Sequence, residues 1–161
     1  MAKKKDKAAP RVMENRKARH DYSILETLEV GIKLAGPEVK SVRDGRVSLT
    51  EGYVRATEFP PELTLYAVTI SDYQPAGGGP RQPPGARPRR LLAHKKEILK
   101  LSRASDKKGM SIVPLKLYFN DYGIAKVLIG LGVGRASHDK RAAIAERESR
   151  RDIQRVMSRR S

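Results

Sequence analysis

Apolar residues recur at every second position along the segment that follows His20, and this alternation constrains the fold more than any other feature. Tyr22 and Ile24 alternate with Asp21 and Ser23. Leu28, Val30, Ile32 and Leu34 then share one face, with Glu29, Gly31 and Lys33 on the other. Period two over this length marks a half-buried strand. A strand has two edges of unpaired N–H and C=O groups, so it needs neighbours. Glu29-Val30-Gly31 is the expected bend, because glycine inside a strand often marks a bulge.

Further strand-like segments supply those neighbours. Gly52 to Thr57 carries Tyr53, Val54 and Ala56. Leu63 to Ile70 reads as a strand buried on both faces. Ser111 to Phe119 and Ile124 to Val133 are joined by Asn120-Asp121-Tyr122-Gly123, a hairpin turn signal. Two short helices interrupt the strands. Pro37 to Asp44 is one, since proline fits the first helical position. Val39 and Val42 face inward there, Glu38, Lys40 and Arg43 stay accessible, and Gly45 ends the helix. His94 to Ser105 is the other, with Ile98, Leu99 and Leu101 opposite Lys95, Lys96, Lys100 and Arg103. With Tyr22–Ile24 and Leu28–Leu34 counted as separate runs, six strand segments and two helices predict a mainly β chain, a small antiparallel barrel that protects its strand edges by closing.

Nearly all large apolar residues fall within residues 15–134, the expected globular domain. Residues 1–14 are Lys- and Ala-rich and read as a disordered basic arm. Residues 74–88 form a Gly/Pro-rich loop holding Arg81 and Arg87, unfit for a sheet interior. The tail, residues 135–161, carries nine basic and four acidic residues. Its pairs Glu146–Arg150, Glu148–Arg151 and Asp152–Arg155 have helical spacing. Its apolar stripe, Ile144, Ile153, Val156 and Met157, is too thin to hold a helix on a core. The tail is therefore expected to be disordered alone and helical when a polyanion neutralises it.

The formal net charge is +16, from 34 Lys and Arg against 18 Asp and Glu. This excess points to a polyanionic partner. Cysteine is absent, which excludes disulfides and thiolate metal sites. The longest apolar stretch, Ile124 to Val133, contains Lys126 and is too short to span a bilayer as a helix. No apolar run follows the N-terminal lysines, so a cytoplasmic protein without membrane contact is expected. Gly130-Leu131-Gly132-Val133-Gly134 lacks the dinucleotide-binding spacing and reads as glycines in and after a last strand. His20, His94 and His138 show no metal spacing, and Glu26 and Glu29 point to opposite faces of a strand. No catalytic constellation, metal or cofactor is indicated.

Five segments in order carry a more specific signal. They are Asn15-Arg16-Lys17-Ala18-Arg19-His20-Asp21-Tyr22, Gly36-Pro37-Glu38-Val39-Lys40-Ser41-Val42-Arg43, Arg89-Arg90-Leu91-Leu92-Ala93-His94-Lys95, Val113-Pro114-Leu115-Lys116-Leu117-Tyr118-Phe119, and His138-Asp139-Lys140-Arg141. Together they resemble the small protein B, or SsrA-binding, family. The resemblance implies an oligonucleotide-binding (OB) barrel with flanking short helices. It also implies two partners, transfer-messenger RNA (through its tRNA-like domain) and the small-subunit RNA of stalled ribosomes. Asn15, Glu29 and Leu92 match family positions for transfer-messenger RNA, with Arg16, Lys17, Arg19, His20, Lys40, Arg43, Arg89 and Arg90 as neighbours on that surface. His138 matches the decoding-centre position, and Arg135, Asp139, Lys140, Arg141, Arg147 and Arg151 accompany it in the tail. The chain departs from the family in the loop before Arg89, Gly/Pro-rich rather than aromatic or histidine-bearing, and at Ala93, where leucine is common. A monomer is expected. Two other readings compete: a structural RNA-binding protein with a basic tail, which charge fits equally well, and a nucleic-acid-modifying enzyme, for which acid, base and metal ligands are missing.

Overall fold

The computed structural model describes residues 11–72 and 84–159, without the side chains of 137–139. In chain order the elements are β1 (Met13–Glu14), α1 (Arg16–Asp21), β2 (Tyr22–Ile32), α2 (Gly36–Arg43), β3 (Val47–Ser48), β4 (Tyr53–Thr57) and β5 (Glu62–Tyr66). They continue with β6 (Thr69–Ile70), β7 (Arg89–Leu92), α3 (Lys95–Ser105), β8 (Met110–Phe119), β9 (Ala125–Gly134) and α4 (Ser137–Arg159).

Six of these strands close into an antiparallel ring, β8-β4-β5-β7-β2-β9, with β9 returning to β8. The ring is mainly β with flanking helices, as the alternation implies. Its interior is filled by Leu63, Leu65, Leu91, Leu117 and Val127, all fully buried. Truncating one such leucine to alanine costs about 2–5 kcal/mol. Turn chemistry sets the strand ends. Gly45 follows α2 at φ +77°, and Gly123 closes the β8–β9 hairpin at φ +76°. Both conformations are open to glycine without the Cβ clash that other residues meet.

The ring's composition differs from the sequence expectation in several places. Its sixth strand is β7, four residues that follow the Gly/Pro-rich segment and carry no long alternation. Leu63 to Ile70 is not one strand buried on both faces. It breaks at Ala67, φ 56°, after which Thr69–Ile70 pairs with β3. Within β5, Leu63 and Leu65 point inward while Thr64 and Tyr66 are half-exposed. The bulge in β2 lies between Ile24 and Glu26, not at Gly31, and its extra residue Leu25 is turned out and 64% exposed. The basic cluster ahead of β2 folds as α1 because Asn15 caps it: Asn15 Oδ1 accepts from Ala18 N–H at 3.1 Å. The arm reaches into the sheet at its end, where Met13 and Glu14 pair with Leu117 and Lys116.

The glycine-rich end of β9 has a packing cause. A Cβ on Gly130 would lie 2.8 Å from Leu115 Cδ1, and one on Gly132 would lie 2.8 Å from the Ser23 carbonyl oxygen. β9 therefore needs glycine where Ser23 of β2 and Leu115 of β8 crowd it.

Candidate nucleic-acid interface

β2 carries Glu29 and Gly31 on one face. Gly31 stands opposite Leu92 of β7 and Lys126 of β9, and Lys126 stands opposite Tyr118 of β8. A Cβ on Gly31 would lie 3.2 Å from Leu92 Cβ, so the glycine leaves room for Leu92 against the strand. Leu92 is 48% exposed, an apolar side chain presented to solvent by a strand whose Leu91 fills the core. The Tyr118 hydroxyl donates to Glu29 Oε2. Burial first, and the carboxylate beside it second, push the Tyr118 phenol up to about 12. It therefore stays a donor at neutral pH. Glu29 Oε1 has no protein donor among the described residues. A held carboxylate, an exposed leucine and a lysine on one face suit an unstacked base, whose N–H edge the carboxylate accepts.

Cations rim this face. Arg90, two residues before Leu92, is exposed, with Nη2 3.7 Å from Glu62. Such an exposed pair contributes little, so Arg90 is available to phosphate. Lys40 and Arg43 lie on the exposed side of α2. The Arg43 guanidinium sits 5.4 Å from the Phe119 ring centroid, next to Tyr118 in sequence.

Two of the expected contact residues are turned inward. Arg89 is fully buried: Nε donates to Glu38 Oε2 at 2.5 Å, Nη1 to the Val68 carbonyl at 2.8 Å and Nη2 to the Gly85 carbonyl at 2.7 Å. Glu38, expected to be accessible, is buried with it and also accepts from Arg87 Nε at 2.7 Å. This cluster ties α2 to β7: the one Glu38 carboxylate neutralises the fully buried Arg89, while the second guanidinium, Arg87, keeps partial contact with solvent. Asn15 is buried as well. Its Nδ2 donates to the Leu49 and Pro114 carbonyls, both at 2.9 Å. Pro114 begins the β8 bulge, and Asn15 N–H donates to the Leu115 carbonyl there at 2.8 Å. Asn15 thus bonds to a bulge that the β8–β9 ladder leaves unpaired.

The remaining α1 residues form a second group. Arg16 and Arg19 are exposed. Lys17 Nζ pairs with Glu51 at 2.9 Å, which raises its pKa. His20 Nδ1 lies 2.9 Å from Asp21 Oδ1, and that hydrogen bond is the main cause holding the Asp21 carboxyl below its ordinary value. The tail leaves the barrel here. Gly134 pairs with Tyr22, Arg135 N–H donates to the Asp21 carbonyl at 2.8 Å, and Lys140 Nζ lies 3.4 Å from Asp21 Oδ1. Along α4, Arg150 pairs with Glu146 and Arg155 with Asp152. Arg141, Arg147 and Arg151 are exposed without an ion pair among the described residues. The expected Glu148–Arg151 pair is not among those formed. His138 and Asp139 belong to α4, but their side chains lie outside the described residues.

The candidate residues thus fall into two groups, one at each end of β2. From Tyr22 to Glu29 the strand rises roughly 23 Å at about 3.3 Å per residue. Sequence reasoning missed Tyr118 and Lys126. The signal lay in β8, where Leu117 is an inward residue and its neighbour Tyr118 must turn out. Among the described residues no group of side chains could hold a metal ion, and no helix is long and apolar enough to cross a membrane.

Comparison with known proteins places this geometry. The SmpB protein family model matches residues 12–159. The SsrA-binding protein of Rhodospirillum rubrum is 51% identical over 151 residues, covering 91% of this chain and 90% of its own. That of Azorhizobium caulinodans is 45% identical and covers 98% of this chain and 97% of its own. A solved chain described under "tmRNA-SmpB: a journey to the center of the bacterial ribosome" superposes with a TM-score of 0.66 at 45% identity, over 84% of this chain and 95% of that one. A match that runs from the end of the arm through the tail, at this identity, has one meaning: the chain belongs to the SmpB family.

Proposed function

We infer that this chain binds the tRNA-like domain of transfer-messenger RNA and delivers it to stalled ribosomes, where the nascent chain is tagged. The RNA is held at the Glu29 end of β2, by Glu29, Leu92, Tyr118 and Lys126 with Arg90, Lys40 and Arg43 around them. Asn15 and Arg89 act from the interior, shaping the surface rather than touching RNA. The tail leaves from the Tyr22 end and enters the vacant messenger channel, with His138 and Asp139 at the decoding centre and Arg135, Lys140, Arg141, Arg147 and Arg151 on ribosomal RNA phosphates. Arg16, Lys17, Arg19 and His20 flank the root of the tail.

The observation that carries this reading is the separation of the two groups along one strand within a chain of this family. One protein of this design holds one RNA and reaches another. The protein works as a monomer in the cytoplasm and carries out no reaction itself. The tail is mobile in the free protein and helical on the ribosome.

Sequencing the RNA that co-purifies with the chain tests the reading directly. Transfer-messenger RNA is expected to dominate. Recovery of ribosomal RNA alone would favour a structural RNA-binding protein instead. Binding should weaken with salt, with a slope of roughly 0.7–0.9 per phosphate contacted.

A further inference from the structure

A groove of about 670 Å³ runs beside α1, away from Glu29 and Leu92. This volume lies in the range of small-molecule sites. Its wall includes Tyr53 and Tyr66, paired across β4 and β5, with ring centroids 5.3 Å apart and planes inclined by 12°. A cross-strand aromatic pair commonly does no more than stabilise a sheet. Here Tyr53 stays 51% exposed, and neither hydroxyl is bonded among the described residues. The outward face continues from Tyr53 to Arg55, then through Thr64 to Arg90, in register across three strands. The groove itself is not a phosphate funnel. Its lining sets three carboxylates, Asp21, Glu51 and Asp106, against two cations, Lys17 and Arg55. Glu51 and Asp21 are ion-paired, whereas Asp106 has no ion pair among the described residues.

We propose that the Tyr53–Tyr66 stack is a subsite for one unpaired, amino-bearing base of single-stranded RNA, with the flanking phosphates outside on Arg55 and Arg90. Aromatic faces on strands stack bases irrespective of sequence. A carboxylate in the groove accepts from an exocyclic amino group and repels a phosphate, which selects the base as the part that enters. The proposal rests on the RNA-binding reading above and adds a second contact to it.

The test uses the full chain and an eight-nucleotide oligoadenylate, with a blunt RNA duplex and the tRNA-like RNA as comparison probes. Tyr53→Ala is expected to weaken oligoadenylate binding by about tenfold or more. Tyr53→Phe, which keeps the ring, should bind as the parent does, and duplex binding should be unchanged in both. Photocross-linking of azidoadenosine-labelled oligomer to the unmutated chain should mark the peptides holding Tyr53 or Tyr66. Equal oligoadenylate binding by Tyr53→Ala and the parent would overturn the subsite, as would equal losses in both variants or cross-links elsewhere only. In each case parental binding to the tRNA-like RNA leaves the main reading standing. Loss of binding to every probe in the parent would overturn that reading itself.

Discussion

Tyr118 of β8 donates its phenolic hydrogen to Glu29 of β2 across an intervening strand, β9. The two side chains together bridge two interstrand spacings, roughly 9.5 Å of sheet. It leaves one carboxylate oxygen outward and restricts where the carboxylate can point. A freely rotating glutamate would lose more entropy on gripping a base edge than one already held.

Tyr118→Phe removes the donor without changing charge. Specific binding to the tRNA-like RNA should fall by about 1 kcal/mol, roughly fivefold, while binding to random RNA keeps its affinity and salt slope. Glu29→Ala should lower specific binding more than nonspecific binding. Competition gel shifts with the two RNAs report both, and a uniform gain in affinity for Glu29→Ala would contradict a selectivity role. The same pair has a pH signature. The unfolded tyrosine ionises near 10 and the folded one at about 12, so between those values only the unfolded chain has lost its proton. The stability contributed is full below pH 10 and is lost as pH rises towards 12. Denaturant midpoints across that range should fall less steeply in Tyr118→Phe than in the parent.

Asn15→Ala should act on stability. It removes a helix cap, about 1 kcal/mol, and leaves the Leu49 and Pro114 carbonyls without their donor. With about 1–3 kcal/mol for such unsatisfied buried groups, the total comes to about 2–4 kcal/mol. Urea unfolding measures it. Below the new transition, RNA affinity should stay near the parental value. A large loss of affinity in the fully folded variant would make Asn15 a contact residue.

Glu38→Ala strands the fully buried Arg89 and should cost about 3–5 kcal/mol. Replacing both partners, Glu38→Met with Arg89→Met, should recover much of that loss, because no fully buried charge then remains and Arg87 already reaches solvent. Arg89→Lys should not rescue anything, since a single ammonium cannot span the carboxylate and the three carbonyls that the guanidinium reaches. Thermal melting of the three variants ranks them. A double variant as weak as the single one would show that the cluster holds the fold by more than charge matching.

Removing residues after Gly134 should leave binding to the tRNA-like RNA nearly intact and abolish peptide tagging. His138→Ala should act in the same direction in the tagging assay. The isolated tail should show little helix by circular dichroism in buffer and gain it with RNA, since most helical stability in proteins comes from packing an apolar face and the stripe here is thin. A tail stably helical by itself, or a truncated protein that tags at full rate, would remove the division of labour between barrel and tail.

The sequence made the ring legible where alternation was long. β2, β8 and β9, with ten or eleven residues each, lie close to where the pattern predicts them. β7 was not legible, because four residues cannot display a period and both neighbours are poor strand formers. Of the candidate site, the sequence makes legible the outward placement of Glu29 and Leu92, which alternate with inward residues on their strands. Arg89 and Asn15 were misjudged for a common reason. Charge and amide groups suggest solvent, and only the tertiary fold supplies the carboxylate and carbonyls that bury them. Tyr118 was hidden for the converse reason, since its partner lies 89 positions away.

A closed ring also behaves as a gauge. In an open sheet a strand can slip by two residues and keep its faces. Here each strand's register is fixed by the strands on both sides, all the way round. The span between Tyr22 and Glu29 therefore cannot be lengthened at one place without reopening the whole circuit. A change of length is taken up by segments outside the circuit, such as the tail. The root of the tail and the Glu29 end of β2 keep one separation whatever happens to such segments.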